Sequence, residues 1–165
     1  MRRLILFRHA EAVFPFEHQD RARPLTAAGR ADADRAGALL ARLDLPVDVV
    51  LASDSRRTQE TWSLAGAHLA TRPELRLEPA LYNAERPDLI DLARRQPERV
   101  KTLMLLGHNP AIAEFAMHFA GSGEHDALRR MSKGFPTSGV AVFEIDDIEW
   151  RKLRWGDGRL AHFIA

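Results

Sequence analysis

An α/β sandwich built on a mixed sheet is the fold this sequence predicts, and three observations predict it. Short, predominantly apolar runs recur at Leu4 to Phe7, Val47 to Ala52 (broken by Asp48) and Thr102 to Leu106. Runs of that length without polar alternation are typical of strands buried on both faces of a parallel sheet. Between them lie longer segments whose apolar residues recur at helical spacing. Two late segments, Gly139 to Ile145 and Glu149 to Trp155, alternate instead, as half-buried strands do. Strands that alternate with helices and end in a hairpin form an α/β sandwich. At 165 residues the chain is the size of one domain, 1–165, with enough length for a substantial core.

Taken in order, the first predicted strand ends in Arg8 and His9, at the strand edge where open α/β sheets bind ligands. Residues 11 to 25 hold Pro15, Pro24, Phe14, Phe16 and His18 without a period and read as a loop, whose aromatics could form a lip over a site or tuck into the core. Thr26 is a candidate N-cap for a helix with Ala33, Ala36, Gly37, Leu40 and Leu43 on one stripe, ended by Leu45 and Pro46. The next helix carries Arg57, Thr61, Leu64, Ala65 and Leu69, and its Arg57 and Thr61 are four apart and share a face. Arg76 to Pro79 fits an edge strand, and Glu85 to Arg95 a helix with Leu89 and Leu92 inward. Lys101 to Leu106 suits the sheet centre. Asn109 and Pro110 form a plausible N-cap and N1 pair for a helix to about Ala120, which Gly121 to Gly123 would end. A short helix and a turn at Phe135 and Pro136 are expected next. Asp146 and Asp147 then mark the turn of the final hairpin.

Composition excludes several functions. Lys and Arg total 24 against 23 Asp and Glu, a net charge of +1, which offers no field for nucleic acid or an anionic membrane. No cysteine is present, so disulfides, thiolate metal sites and a cysteine nucleophile are excluded, and a reducing, cytoplasmic setting is expected. The four strongly apolar residues after Arg3 are too few for a signal peptide or a membrane span. His18, His68, His118, His125 and His162 share no metal-binding spacing, so neither metal nor organic cofactor is expected.

Four pieces then stand in order: Arg8-His9 after the first strand, Arg23-Pro24-Leu25-Thr26, Ser53 to Thr61 around Arg57 after the second, and Gly107-His108-Asn109-Pro110 after the third. Together they resemble the histidine phosphatase superfamily, in particular its short phosphohistidine phosphatases of SixA-like type, from Met1 to about Leu160. The resemblance implies a phosphoglycerate mutase-like, three-layer fold: a mostly parallel mixed sheet with helices on both faces. It implies a phosphatase in which His9 is the nucleophile of a phosphohistidine intermediate, with Arg8, Arg57 and His108 catalytic and Arg23, Asn83 and Glu11 at the substrate-binding positions. It also selects Arg57 over its neighbour Arg56.

Two departures stand out. Ala10 replaces the glycine that often follows the histidine, a matter of packing. Larger members carry a glutamate that protonates the leaving group, and here that position falls on Asn83, which cannot. Glu11 and Glu85 are the sequence neighbours that could substitute. Three functions remain open on these grounds. One is a phosphatase acting on phosphohistidine in a protein, another a phosphomonoesterase or mutase acting on a small phosphorylated metabolite, and the third a phosphate-binding module without turnover. Binding alone would need only the arginines, so His9 and His108 argue for catalysis.

Overall fold

The computed structural model describes residues 1–165. A seven-stranded sheet runs through the molecule in the order β3-β2-β4-β1-β6-β7-β5. The strands are β1 (Arg2–Arg8), β2 (Val49–Ala52), β3 (Glu74–Leu77), β4 (Thr102–Gly107), β5 (Ala120–Gly123), β6 (Val140–Ile145) and β7 (Gly158–Ile164). β1, β2, β3 and β4 pair in parallel, as do β5 and β7, whereas β6 runs antiparallel to both β1 and β7.

Side chains of a strand alternate between the sheet's faces, and the apolar runs are buried on both. Leu4, Leu6, Val49, Leu51, Leu103, Leu105 and Phe143 belong to one core cluster. Ile5, Phe7, Val50, Ala52, Met104, Leu106 and Val142 belong to the other. The first cluster is covered by α3 (Arg86–Arg94), α4 (Ala111–Phe119) and α5 (His125–Ser132). The second is covered by α1 (Ala27–Ala41) and α2 (Arg56–Gly66). Helices therefore lie on both faces of a mostly parallel sheet, the expected three-layer α/β class.

Thr26 caps α1, its hydroxyl accepting from the Gly29 N–H at 2.9 Å. Gly37 lets α1 and α2 meet backbone to backbone, since a Cβ there would lie 2.4 Å from the Ala65 carbonyl oxygen. That close approach packs the C-terminal end of α2 against α1. β3 lies at the sheet edge, as its half-exposed sequence suggests.

Three expectations need correction. Gly121 to Gly123 does not simply end a helix: with Ala120 it forms β5, paired with β7. Two glycines and a serine carry no apolar alternation, and the strand is held by its backbone ladder. A Cβ on Gly121 would lie 1.8 Å from the Gly156 carbonyl oxygen, so the pairing requires glycine. The final hairpin uses β7, not Glu149 to Trp155. That stretch holds a single 3-10 turn, Trp150–Lys152, in which Trp150 is fully buried and its indole N–H donates to the Val100 carbonyl at 2.7 Å. The apolar residues there serve one buried aromatic anchor, not a pleated face. Finally, Pro110 occupies the N-cap of α4, and Asn109, one residue earlier, accepts the Ala113 N–H on its side-chain oxygen.

Candidate active site

Strand register assembles the site. Arg8 pairs with Gly107 across β1 and β4, and Ala52 with Leu106 across β2 and β4. The three strands thus end level, and the residues just beyond them, His9, Ser53 and His108, emerge together. The His9 N–H donates to the Gly107 carbonyl at 3.0 Å, and the Ser53 N–H to that of Leu106 at 3.0 Å. The two imidazole rings lie with centroids 5.0 Å apart and planes tilted by 57°.

Thr61 locks α2 to the turn after β1. Its hydroxyl accepts from the Ala10 N–H at 3.0 Å and donates to the Arg57 carbonyl at 2.8 Å. The shared face of Arg57 and Thr61 is therefore buried, whereas Arg56 is exposed and pairs with Glu60 at 2.9 Å. Arg8 and Asn109 both donate to the Phe135 carbonyl, each at 3.0 Å, which fixes the turn before β6 against the site. Arg23 donates to the Val13 carbonyl at 2.9 Å, drawing the loop of residues 11 to 25 against the same opening.

A cavity of about 430 Å³ results, and Arg8, His9, Glu11, Arg23, Arg57, Asn83 and His108 all line it. Glu85 does not. It caps α3 instead, and its N–H donates to the Asp88 carboxylate at 2.8 Å. Glu11 is engaged as well: its carboxylate accepts from the Thr26 hydroxyl at 2.8 Å. Phe14 and Phe16 stack on one another, 79% and 89% exposed, so they neither cover the cavity nor enter the core.

Asn109 of the Gly107 to Pro110 piece also lines the cavity, as do Asp20, Tyr82 and Thr137, to which the sequence assigns no role. Asp20 sits among the cations. Its carboxylate accepts from Arg23 Nε at 3.0 Å, from Arg57 Nη2 at 3.2 Å and from the Tyr82 hydroxyl. The only sequence signal was an acid three residues before Arg23, a common loop pattern.

Electrostatics follow from this packing. Burial lowers the His9 pKa to about 4, opposed by the hydrogen bond to the Ala10 carbonyl and helped by the charges of Arg57, Arg8 and Arg23. His9 is thus neutral near pH 7. Its Nδ1 lies 2.7 Å from that carbonyl, which can only accept, so Nδ1 carries the proton and Nε2 keeps its lone pair. Burial also lowers His108, to about 3, helped by His9 and Arg57. Its Nε2 lies 2.8 Å from Ser53 Oγ and its Nδ1 3.4 Å from Arg57 Nη2. Asp20 is lowered to about 2, first by the Tyr82 hydroxyl and then by Arg57 and Arg23, against the opposing effect of burial. A neutral imidazole with a free nitrogen, backed by guanidinium groups at level strand ends, can attack an electrophile bound as an anion.

The sheet order and this strand-end site define the class as phosphoglycerate mutase-like. Residues 4–86 match the family model of the histidine phosphatase superfamily (branch 1), and the chain belongs to that family. Uncharacterized protein Rv1276c of Mycobacterium tuberculosis is 34% identical over 159 residues, 94% of this chain and 97% of that protein. Among solved structures, one from Agrobacterium tumefaciens with the provisional name phosphohistidine phosphatase SixA matches at 30% identity. Its TM-score is 0.82, with 99% of this chain and 97% of that one covered. The protein histidine phosphatase SixA complexed with tungstate shares the fold, at 18% identity and a TM-score of 0.78, covering 99% of this chain and 96% of that one. Within its superfamily the chain is SixA-like.

Proposed function

We propose that this chain is a phosphatase that removes the phosphoryl group from phosphohistidine on a protein, through a phosphohistidine enzyme intermediate on His9. The observation that carries the reading is the tautomer of His9. Nδ1–H is tied to the Ala10 carbonyl, so Nε2 keeps its lone pair beside Arg57 and His108. In this reading Nε2 attacks phosphorus, the P–N bond of the substrate breaks, and its electron pair leaves on the substrate imidazole, which takes a proton from solvent. Water then attacks phosphorus on His9, releasing inorganic phosphate and restoring the free imidazole. Arg8, Arg23 and Arg57 neutralise the phosphoryl oxygens, where guanidinium forks fit best. His108, whose ring lies 5.0 Å from that of His9, holds a transition-state oxygen.

The substrate class rests on the leaving group. An alkyl ester expels an alkoxide whose conjugate acid has a pKa of about 15.7, as for water. That step needs a positioned acid, typically worth about 10²–10⁴-fold. The acid position holds Asn83, Glu85 is spent on a helix cap and Glu11 on Thr26, and Asp20, lowered to about 2, carries no proton to give. Imidazole, with a pKa of about 6.5, leaves near neutral pH with solvent's help alone. Outward-facing Phe14 and Phe16 leave the cavity uncovered, so that a protein side chain can enter. The test is kcat/KM for a phosphohistidine peptide, an aryl phosphate and an alkyl phosphate on one preparation. The expected order is that order, fastest first. An alkyl phosphate turned over as fast as the peptide would establish an acid and favour a small phosphorylated metabolite.

A further inference from the structure

Asp20 presents an unusual arrangement for an anion-binding pocket: a carboxylate already occupies the cations. Arg57 Nη1 donates to the Asp20 backbone carbonyl at 2.7 Å and Nη2 to its Oδ2 at 3.2 Å, while Arg23 Nε donates to Oδ1 at 3.0 Å. The Tyr82 hydroxyl completes the set on Oδ2. Both carboxylate oxygens thus engage the guanidinium groups that an incoming phosphoryl oxygen would need. The two sides of this contact differ in freedom. The Arg57 side chain is 6% exposed and built into α2, whereas that of Asp20 is 48% exposed and lies on a three-residue 3-10 turn with no buried residue. If something must move, it is Asp20.

We propose that Asp20 is an internal competitor for the phosphoryl seat: its carboxylate takes one donor from each of Arg23 and Arg57 in the free enzyme and sets how tightly an oxyanion binds. Displacement swings the carboxylate toward solvent and frees Arg57 Nη2 and Arg23 Nε for the ligand. A monoanionic carboxylate ligand gains little by that exchange, because one charge replaces another. A phosphoryl group with nearly two charges and three acceptor oxygens gains on both counts. Asp20 is therefore a specificity-determining residue. The opposite role would be a brace that holds Arg57 in place for the substrate, and the two roles predict opposite signs. The proposal rests on the cavity being the phosphoryl site.

The experiment is calorimetric binding of inorganic phosphate to the wild type, Asp20→Asn, Arg57→Ala and the surface control Asp32→Asn. Asp20→Asn keeps the shape and removes the charge, and should bind phosphate about tenfold more tightly, the effect of freeing two charge-assisted donors. Asp32→Asn should match the wild type. Unchanged or weaker binding by Asp20→Asn would overturn the proposal, even with wild-type binding normal and Arg57→Ala impaired. Absence of phosphate binding in the wild type, or an Arg57→Ala variant that binds as well as the wild type, would remove the phosphoryl-site reading and the proposal with it. Should Asp20→Asn not fold, the ¹³C carboxyl resonance of Asp20 in the wild type decides. It should move on saturation with phosphate, and a resonance that stays put would overturn the proposal.

Discussion

Two adjacent arginines on one helix provide a sharp test, because the structure assigns them opposite surroundings. Arg57 has 6% of its side chain exposed, lines the cavity, and lies within 3.4 Å of His108 Nδ1. Arg56 has 55% of its side chain exposed and makes an i,i+4 pair with Glu60. Truncating Arg57 to alanine leaves the helix backbone and the Thr61 contact with its carbonyl intact, so folding should survive. What disappears is a preorganised double donor aimed at developing charge, a loss of about 2–4 kcal/mol in transition-state stabilisation. At about 1.36 kcal/mol per tenfold in rate, kcat/KM should fall about 30- to 1000-fold. Arg56→Ala removes one exposed ion pair, worth at most about 1 kcal/mol and often less. Glu60 keeps its second role in that variant, accepting the Leu25 N–H at 2.7 Å, so the loop should remain in place and kcat/KM should stay close to wild type. The assay is aryl phosphate hydrolysis alongside thermal melts of both variants. A larger loss of rate from Arg56→Ala, with both variants folded, would refute the assignment of the helix face.

Other outcomes follow from the same geometry. His9→Ala should fold yet lose nearly all turnover, and rapidly quenched wild type should carry an acid-labile phosphoryl group. A variant that retained more than about a tenth of the rate would place the nucleophile elsewhere, since losing a nucleophile in a covalent route removes both steps. Because His9 is lowered to about 4 and His108 to about 3, both rings should stay neutral as pH falls through 6.5, which imidazole NMR would show. In that window the unfolded chain takes up protons that the folded one refuses, so stability present above pH 6.5 declines as pH falls toward 4. Titration of either ring between pH 6 and 7 would contradict the burial argument. Chelator should leave the rate unchanged; full loss restored by magnesium or zinc would show that a metal does part of the work ascribed to the arginines.

Much of this protein is written in local sequence. Uninterrupted apolar runs at Leu4 to Phe7 and Thr102 to Leu106 mark strands buried on both faces, because a central strand has no polar face to display. Thr26 marks a helix start because its hydroxyl answers an orphan N–H within three residues. Arg8, His9 and His108 stand at the ends of such runs, but their roles, and the choice of Arg57 over Arg56, come from the resemblance to the histidine phosphatase superfamily and not from position alone. β5 left no trace, since a strand of small residues draws its stability from a ladder with distant β7. Trp150 misled for the complementary reason: apolar residues near it read as a strand, while tertiary packing used one of them as an anchor under Val100. Asp20 was decided by tertiary structure alone. An acid three residues before an arginine is ordinary in any loop, and only folding the loop of residues 11 to 25 over the strand ends puts its carboxylate between Arg23, Arg57 and Tyr82. Local sequence determines which segments become strands and helices, because hydrophobic period and capping act within a few residues. Which charges meet depends on strand register and loop path, and those are settled by contacts between residues far apart in the chain.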